Sequence, residues 1–185
     1  EGLSPLAIAI QDNSNSIINI LSGNYAFVEG MDLHIKDKYG NNLLHRAVLF
    51  NKKERVKNLI NLGININQKN KSGKTPLFIA VEQGYIDIIK CLENYNANLN
   101  DICAGETVLT TAVRSGNLEV IKCLVELGAI INLPNEYDET PLLVAMEKDD
   151  DQIIIYLVEH GANVNYFNYP NDPPLIIAVK NDNDL

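Results

Sequence analysis

Arginine is scarce in this sequence. It occurs only at Arg46, Arg55 and Arg114, scattered along the chain. Asp and Glu outnumber Lys and Arg by 24 to 15, for a net charge of −9 and a pI near 4.7. Binding to a phosphate backbone needs a basic patch, so this balance argues against a nucleic-acid partner. Cysteine is equally sparse. Cys91, Cys103 and Cys123 have no paired spacing that would read as a disulfide framework, and the expectation is reduced thiols in an intracellular protein. No apolar run approaches the roughly 20 residues needed to span a bilayer, and no signal-peptide pattern is legible. The expectation is therefore a cytoplasmic chain with no membrane partner. The sequon Asn70-Lys71-Ser72 is read as a chance match.

Catalytic patterns are missing too. There is no phosphate-cradling glycine loop, no nucleophile elbow and no pair of carboxylates placed for acid–base work. His34, His45 and His160 share no metal-ligand spacing. The run Glu147-Lys148-Asp149-Asp150-Asp151 lacks the alternating ligands and glycine of a calcium loop. It reads as a solvated turn whose charge would help recruit a basic partner. No catalytic residue, cofactor or metal is assigned, and the chain is not expected to be an enzyme.

What the sequence does have is a period. Ala47, Ala80, Ala112, Ala145 and Ala178 fall 32 or 33 residues apart. Thr75-Pro76-Leu77 returns as Thr140-Pro141-Leu142, and Ile89-Lys90-Cys91-Leu92 as Ile121-Lys122-Cys123-Leu124. Ala97-Asn98-Leu99-Asn100 returns as Ala162-Asn163-Val164-Asn165. A fixed period of this size marks a stacked repeat array rather than one closed core. The units run approximately over 1–36, 37–69, 70–101, 102–134 and 135–167, with a partial unit at 168–185. The first carries extra residues near 22–30, and the fourth a turn one residue short at Asp101–Ala104. Both ends cut through a unit, so flanking repeats or a further domain are expected in a longer chain.

Each unit reads as helix, tight turn, antiparallel helix and projecting loop. Thr75 and Thr140 can cap the first helix, with Pro76 and Pro141 at the first helical position, where a missing donor costs nothing. Ser4-Pro5 repeats this, and Asn42 can cap unit two. Ile86, Ile89 and Leu92 share one stripe of the second helix. Gly63, Gly128 and Gly161 end it in the left-handed region, with Asn96 in that place in unit three. One helix pair cannot bury its apolar stripe alone, so the units must stack.

These residues resemble the ankyrin repeat, with its Gly-x-Thr-Pro-Leu-His-x-Ala opening, inter-helix Gly and closing Gly-Ala-Asp-x-Asn. Unit three matches at Gly73, Thr75, Pro76, Leu77, Ala80, Gly84, Ala97 and Asn100. Unit five matches at Thr140, Pro141, Leu142, Ala145, Gly161, Ala162 and Asn165. The signature His remains only at His45, where the resemblance implies a structural hydrogen-bonding role near the helix start. The inter-helix Gly is kept at Gly84 and Gly116 and becomes Asn13, Asn51, Asp149 and Asp182 elsewhere. The implied fold is an all-α ankyrin-repeat solenoid of stacked helix-turn-helix units with projecting loops.

The resemblance also implies protein–protein recognition through a concave face of loop tips and first helices, by a monomeric chain. Carried over by position, the contact residues are Tyr39, Asn41, Leu49 and Phe50 in unit two and Lys71, Lys74, Glu82 and Gln83 in unit three. They continue with Glu106, Arg114 and Ser115, then Glu136, Tyr137, Glu139, Glu147 and Lys148, and Tyr169. Leu49, Phe50 and Tyr39 stand out, since interface hot spots favour aromatic groups. Against that, Phe50 could simply fold down over the unit-one insertion. The alternative function is a targeting or regulatory arm of a larger enzyme, a ubiquitin-ligase adaptor or a host-directed effector acting in host cytosol. The Ile-, Asn- and Lys-rich composition of an AT-rich genome fits the last of these.

Overall fold

The computed structural model describes residues 33–166 together with Pro173 and Ile176. Residues 1–32 of unit one with its insertion, Ser4-Pro5 and Asn13, together with Tyr169 and Asp182, lie outside the described residues. Four helix pairs follow in chain order. They are α1 (Leu43–Leu49) and α2 (Lys53–Asn61), α3 (Pro76–Glu82) and α4 (Ile86–Glu93), α5 (Val108–Ser115) and α6 (Leu118–Glu126), and α7 (Pro141–Glu147) and α8 (Asp151–Glu159). A short antiparallel hairpin, β1 (Ile102–Cys103) and β2 (Glu106–Thr107), precedes α5.

The first helices start where the sequence places their caps. The side-chain oxygens of Asn42, Thr75, Thr107 and Thr140 accept the backbone N–H of the third helical residue. That satisfies a donor the helix cannot satisfy itself. Two of the second helices, α6 and α8, have caps that sequence reading missed: Asn117 accepts from Val120 N–H and Asp150 from Ile153 N–H, each at 3.2 Å. The signal was a short polar residue just after the inter-helix turn. That turn needs a left-handed residue in every unit. Asn51 and Asp149 adopt φ of 52° and 56° where Gly84 and Gly116 have 72° and 68°. Asn and Asp tolerate this region because their short polar side chains bond locally.

Stacking closes the core. First helix packs on first helix through α1, α3, α5 and α7, and α2 packs on α4 and α4 on α6. Leu44, Leu77, Leu109 and Leu142 are buried at one equivalent position of the first helices. Leu92, Leu124 and Leu157 are fully buried on the second helices. The buried side chains form one continuous cluster along the stack, as a linear array requires.

Asparagine side chains tie the loops across unit boundaries. Asn67 Oδ1 accepts Asn98 N–H at 3.0 Å, Asn100 Oδ1 accepts Ile130 N–H at 2.8 Å, and Asn132 Oδ1 accepts Asn163 N–H at 2.8 Å. The last Asn of the closing motif is thus an inter-unit hydrogen-bond acceptor. Earlier in each loop, Asp37, Asn70 and Asn135 each use one side-chain oxygen to accept two backbone N–H groups, two and four residues on. Unit four lacks both this acceptor and one residue. Its chain reverses instead through Ala104-Gly105, with φ of 54° and 86°. This is the pair of left-handed residues that a two-residue hairpin turn demands.

Candidate functional site

Many of the residues named as expected contacts lie at the C-terminal ends of the first helices and at the loop tips. Leu49, Glu82, Ser115 and Glu147 are the last residues of α1, α3, α5 and α7, and Phe50, Gln83 and Lys148 cap three of these helices. Neighbouring tips are fastened by backbone bonds. Lys71 N–H donates to the Tyr39 carbonyl at 3.0 Å, and Glu136 N–H donates to the Gly105 carbonyl at 2.9 Å. The Lys71 ammonium reaches the Lys38 carbonyl at 3.0 Å.

Units two and three carry the aromatic part. Tyr39 is half exposed, with the Lys38 ammonium 5.1 Å from its ring centre. Leu49 and Phe50 are partly buried and pack against the core, and the Arg46 guanidinium lies 4.9 Å from the Phe50 ring. Lys74 bonds both Glu82 oxygens, at 2.7 and 3.0 Å. Gln83 is exposed. Asn41 is placed differently from its expected role. It is buried, its amide donates to Asp37 at 3.1 Å, and its oxygen accepts from Asn70 at 2.8 Å. Its side chain is committed to holding two loops together.

Units four and five gather the charged part. Arg114 Nε donates to Glu106 Oε1 at 2.7 Å, Nη2 bonds Glu139, and Nη1 lies 3.8 Å from Glu147. Four expected contact residues thus meet around one guanidinium. Asn135, which sequence reading missed, sits buried beneath them and donates to Glu106 at 3.1 Å and Glu139 at 2.8 Å. Its loop position repeats that of Asn70, and that was the available signal. Burial acts to raise the Glu106 pKa, but hydrogen bonds from Thr110, Asn135 and Arg114 outweigh it and hold the carboxyl below its ordinary value. Burial acts to lower the Arg114 pKa, and its bond to Glu106 and the neighbouring carboxylates raise it overall. Ser115 turns its hydroxyl onto the Ala112 carbonyl at 2.7 Å. Glu136, Tyr137 and Lys148 are exposed, and the Tyr137 ring lies over Gly105.

Other chemistry-bearing groups serve the fold. His45 is fully buried, and its Nε2 bonds the Lys74 carbonyl at 3.0 Å. The three cysteines are unpaired and buried, and burial pushes each thiol pKa up, away from the nucleophilic thiolate. Tyr166 donates to Asp138, and that bond pushes the phenol up to about 12. Among the described residues, no group of three His, Cys, Asp or Glu could hold a metal ion. Among the same residues, no helix is long and apolar enough to cross a membrane.

A stack of capped helix pairs, each closed by a left-handed turn and joined by projecting loops, is a helical repeat solenoid. The family model for ankyrin repeats matches in three copies, at residues 6–103, 44–135 and 91–168, and the chain belongs to the ankyrin repeat family. Similar proteins include an ankyrin repeat protein of fowlpox virus, 38% identical over 101 residues covering 54% of this chain and 28% of that protein. Protein phosphatase 1 regulatory subunit 27 of Homo sapiens is 44% identical over 55 residues, 30% of this chain and 36% of that subunit. The neurogenic locus Notch protein of Drosophila melanogaster is 30% identical over 118 residues, 54% of this chain and 4% of that protein. The chain spans about a third or less of the length of these relatives. Ankyrin repeats are in general protein–protein interaction modules without catalytic activity of their own.

Proposed function

We propose that this chain binds a partner protein through the face formed by its loop tips and first-helix ends, as a monomer in the cytoplasm. One observation carries this reading. Stacking brings Glu106, Arg114, Glu139 and Glu147 together from two units and fastens adjoining tips by backbone bonds, so the face is set before a partner arrives. Preorganisation of this kind reduces the ordering entropy lost on docking. Half-exposed Tyr39 with partly buried Phe50 at one end and acidic groups around Arg114 at the other offer an aromatic anchor beside a charged surface.

The test is affinity capture with the parent chain beside a Tyr39→Ala/Phe50→Ala variant and an Arg114→Ala variant, each shown by circular dichroism to be folded. A protein held by the parent and lost by either variant supports the reading. Capture of the same protein by all three places recognition elsewhere. A second reading, a regulatory or targeting arm of a larger assembly, draws on the similarity to a phosphatase regulatory subunit and to a viral ankyrin repeat protein. Its distinguishing outcome is that the captured protein changes activity or location when the chain binds.

A further inference from the structure

Charge is sorted along the stack. Residues 37–69 hold seven of the chain's 15 Lys and Arg but only two acids, Asp37 and Glu54, a net of +5 inside a chain of net −9. Residues 135–167 hold eight acids and one base, Lys148, a net of −7. Unit two is a positive stretch on a negative molecule.

The two acids of unit two do not neutralise its loop tip. Asp37 is buried, and its carboxylate accepts from Tyr39 N–H and from the Asn41 backbone and amide, with Arg46 Nη1 at 3.7 Å. Glu54 pairs with Lys57 on α2. At the tips of units two and three, Lys71 N–H donates to the Tyr39 carbonyl and the Lys71 ammonium to the Lys38 carbonyl, each at 3.0 Å. The Lys38 ammonium lies 5.1 Å from the centre of the Tyr39 ring. Two ammonium groups are thereby held beside one half-exposed aromatic ring. Lys53, Lys57, Lys69, Lys74 and Lys122 each sit on a carboxylate, but neither Lys38 nor Lys71 has an ion pair among the described residues. An ammonium has three donors, so Lys71 keeps two beyond its bond to the Lys38 carbonyl.

We propose that the tips of units two and three take an acidic segment of the partner protein. Its carboxylates bond the Lys38 and Lys71 ammonium groups, and an apolar side chain of the same segment lies on Tyr39. This rests on the loop-tip face proposed above and names the chemistry accepted at one end of it. Charge decides which end. Around Arg114 a carboxylate would meet Glu106, Glu139 and Glu147 already in place, and like charges brought together suppress that register. A nucleic acid is the poorer fit, because its charge continues at every nucleotide and runs on toward the negative unit five.

The experiment is fluorescence anisotropy with the full chain and three labelled peptides of one length. Each has a single central Phe, and the remaining positions alternate Ser with Glu, Gln or Lys. A single-stranded DNA oligonucleotide of the Glu peptide's charge is the fourth probe. The Glu peptide is expected to bind most tightly and to weaken in high salt. Lys38→Gln/Lys71→Gln is expected to weaken it about tenfold. Lys57→Gln/Lys122→Gln removes the same charge from the second helices and is expected to leave the affinity within about twofold. Tighter binding of the Lys peptide that is lost in Tyr39→Ala/Phe50→Ala overturns the acidic assignment while the loop-tip face stands. Binding of the Glu peptide that no loop-tip variant alters overturns both. Equal weakening by the two lysine pairs shows bulk charge alone and overturns the assignment. Tighter binding of the oligonucleotide, or binding of no probe, overturns it as well.

Discussion

Asn100 Oδ1 accepts the backbone N–H of Ile130 at 2.8 Å across the boundary between units three and four, and Ile130 itself leaves about half its surface in solvent. The exposure has a local cause. Ile130 occupies the place held by Asn65, Asn98 and Asn163 in the other units. Each of those accepts the N–H two residues on, at 3.0 Å. Isoleucine offers no such acceptor to Asn132. Ile130→Asn restores the turn and removes an exposed apolar group without disturbing the main-chain bond to Asn100. The expected gain is about 0.5–1 kcal/mol, read as a higher urea midpoint with an unchanged slope.

The hairpin of unit four makes a second prediction. Ala104 holds φ of 54° as the first residue of the two-residue reversal between β1 and β2. A left-handed alanine costs about 1–2 kcal/mol, and asparagine tolerates the region better. Ala104→Asn is expected to stabilise the chain by about 1 kcal/mol, seen as a rise in thermal midpoint. Gly105→Ala is the opposite case. Its φ is 86°, and an added Cβ would meet the Tyr137 hydroxyl at 3.0 Å. The exposed Tyr137 ring can move aside but the backbone angle cannot relax, so this change is expected to lower the midpoint.

What the sequence made legible was whatever depends on residues close in the chain. The Thr75 and Thr140 caps, and the left-handed Asn51, Asn96 and Asp149, follow from local chemistry repeated at a fixed period. The resemblance to the ankyrin repeat, carried over by position, also named Glu106, Arg114, Glu139 and Glu147 as expected contact positions. Their convergence was not legible, since it depends on how one unit sits on the next. The same limit hid the Asn67–Asn98 bond between loops and the burial of Asn41 against Asn70. Sequence position assigned Asn41 to the contact face, whereas its depth is set by the neighbouring loop.

Core energetics can be checked at one residue. Leu124 is fully buried on α6, with units on both sides of it. Leu124→Ala removes three carbons from a close-packed site and leaves a cavity that the flanking helices fill only in part. The expected cost is about 2–5 kcal/mol. In a linear array each unit contacts only its neighbours, so hydrogen exchange is expected to rise most in α5 and α6, with a smaller effect at α1.

Acid weakens the charged face through Glu106. Glu106 is held below its ordinary pKa of 4.5 because, although burial opposes ionisation, hydrogen bonds from Thr110, Asn135 and Arg114 favour the carboxylate. The folded state therefore binds its proton later than the unfolded chain. Stability from this group is complete above 4.5 and is lost as pH falls through the folded value. Glu106→Gln keeps the shape and one acceptor but removes the titration and the ion pair to Arg114. Its chemical-denaturation free energy is expected to start lower than the parent's at neutral pH and to converge on it in acid. The difference is also expected to shrink in high salt, because Arg114 is partly exposed and its pairs are screened. A constant gap between the two chains from neutral pH to acid would mean that Glu106 contributes through packing alone.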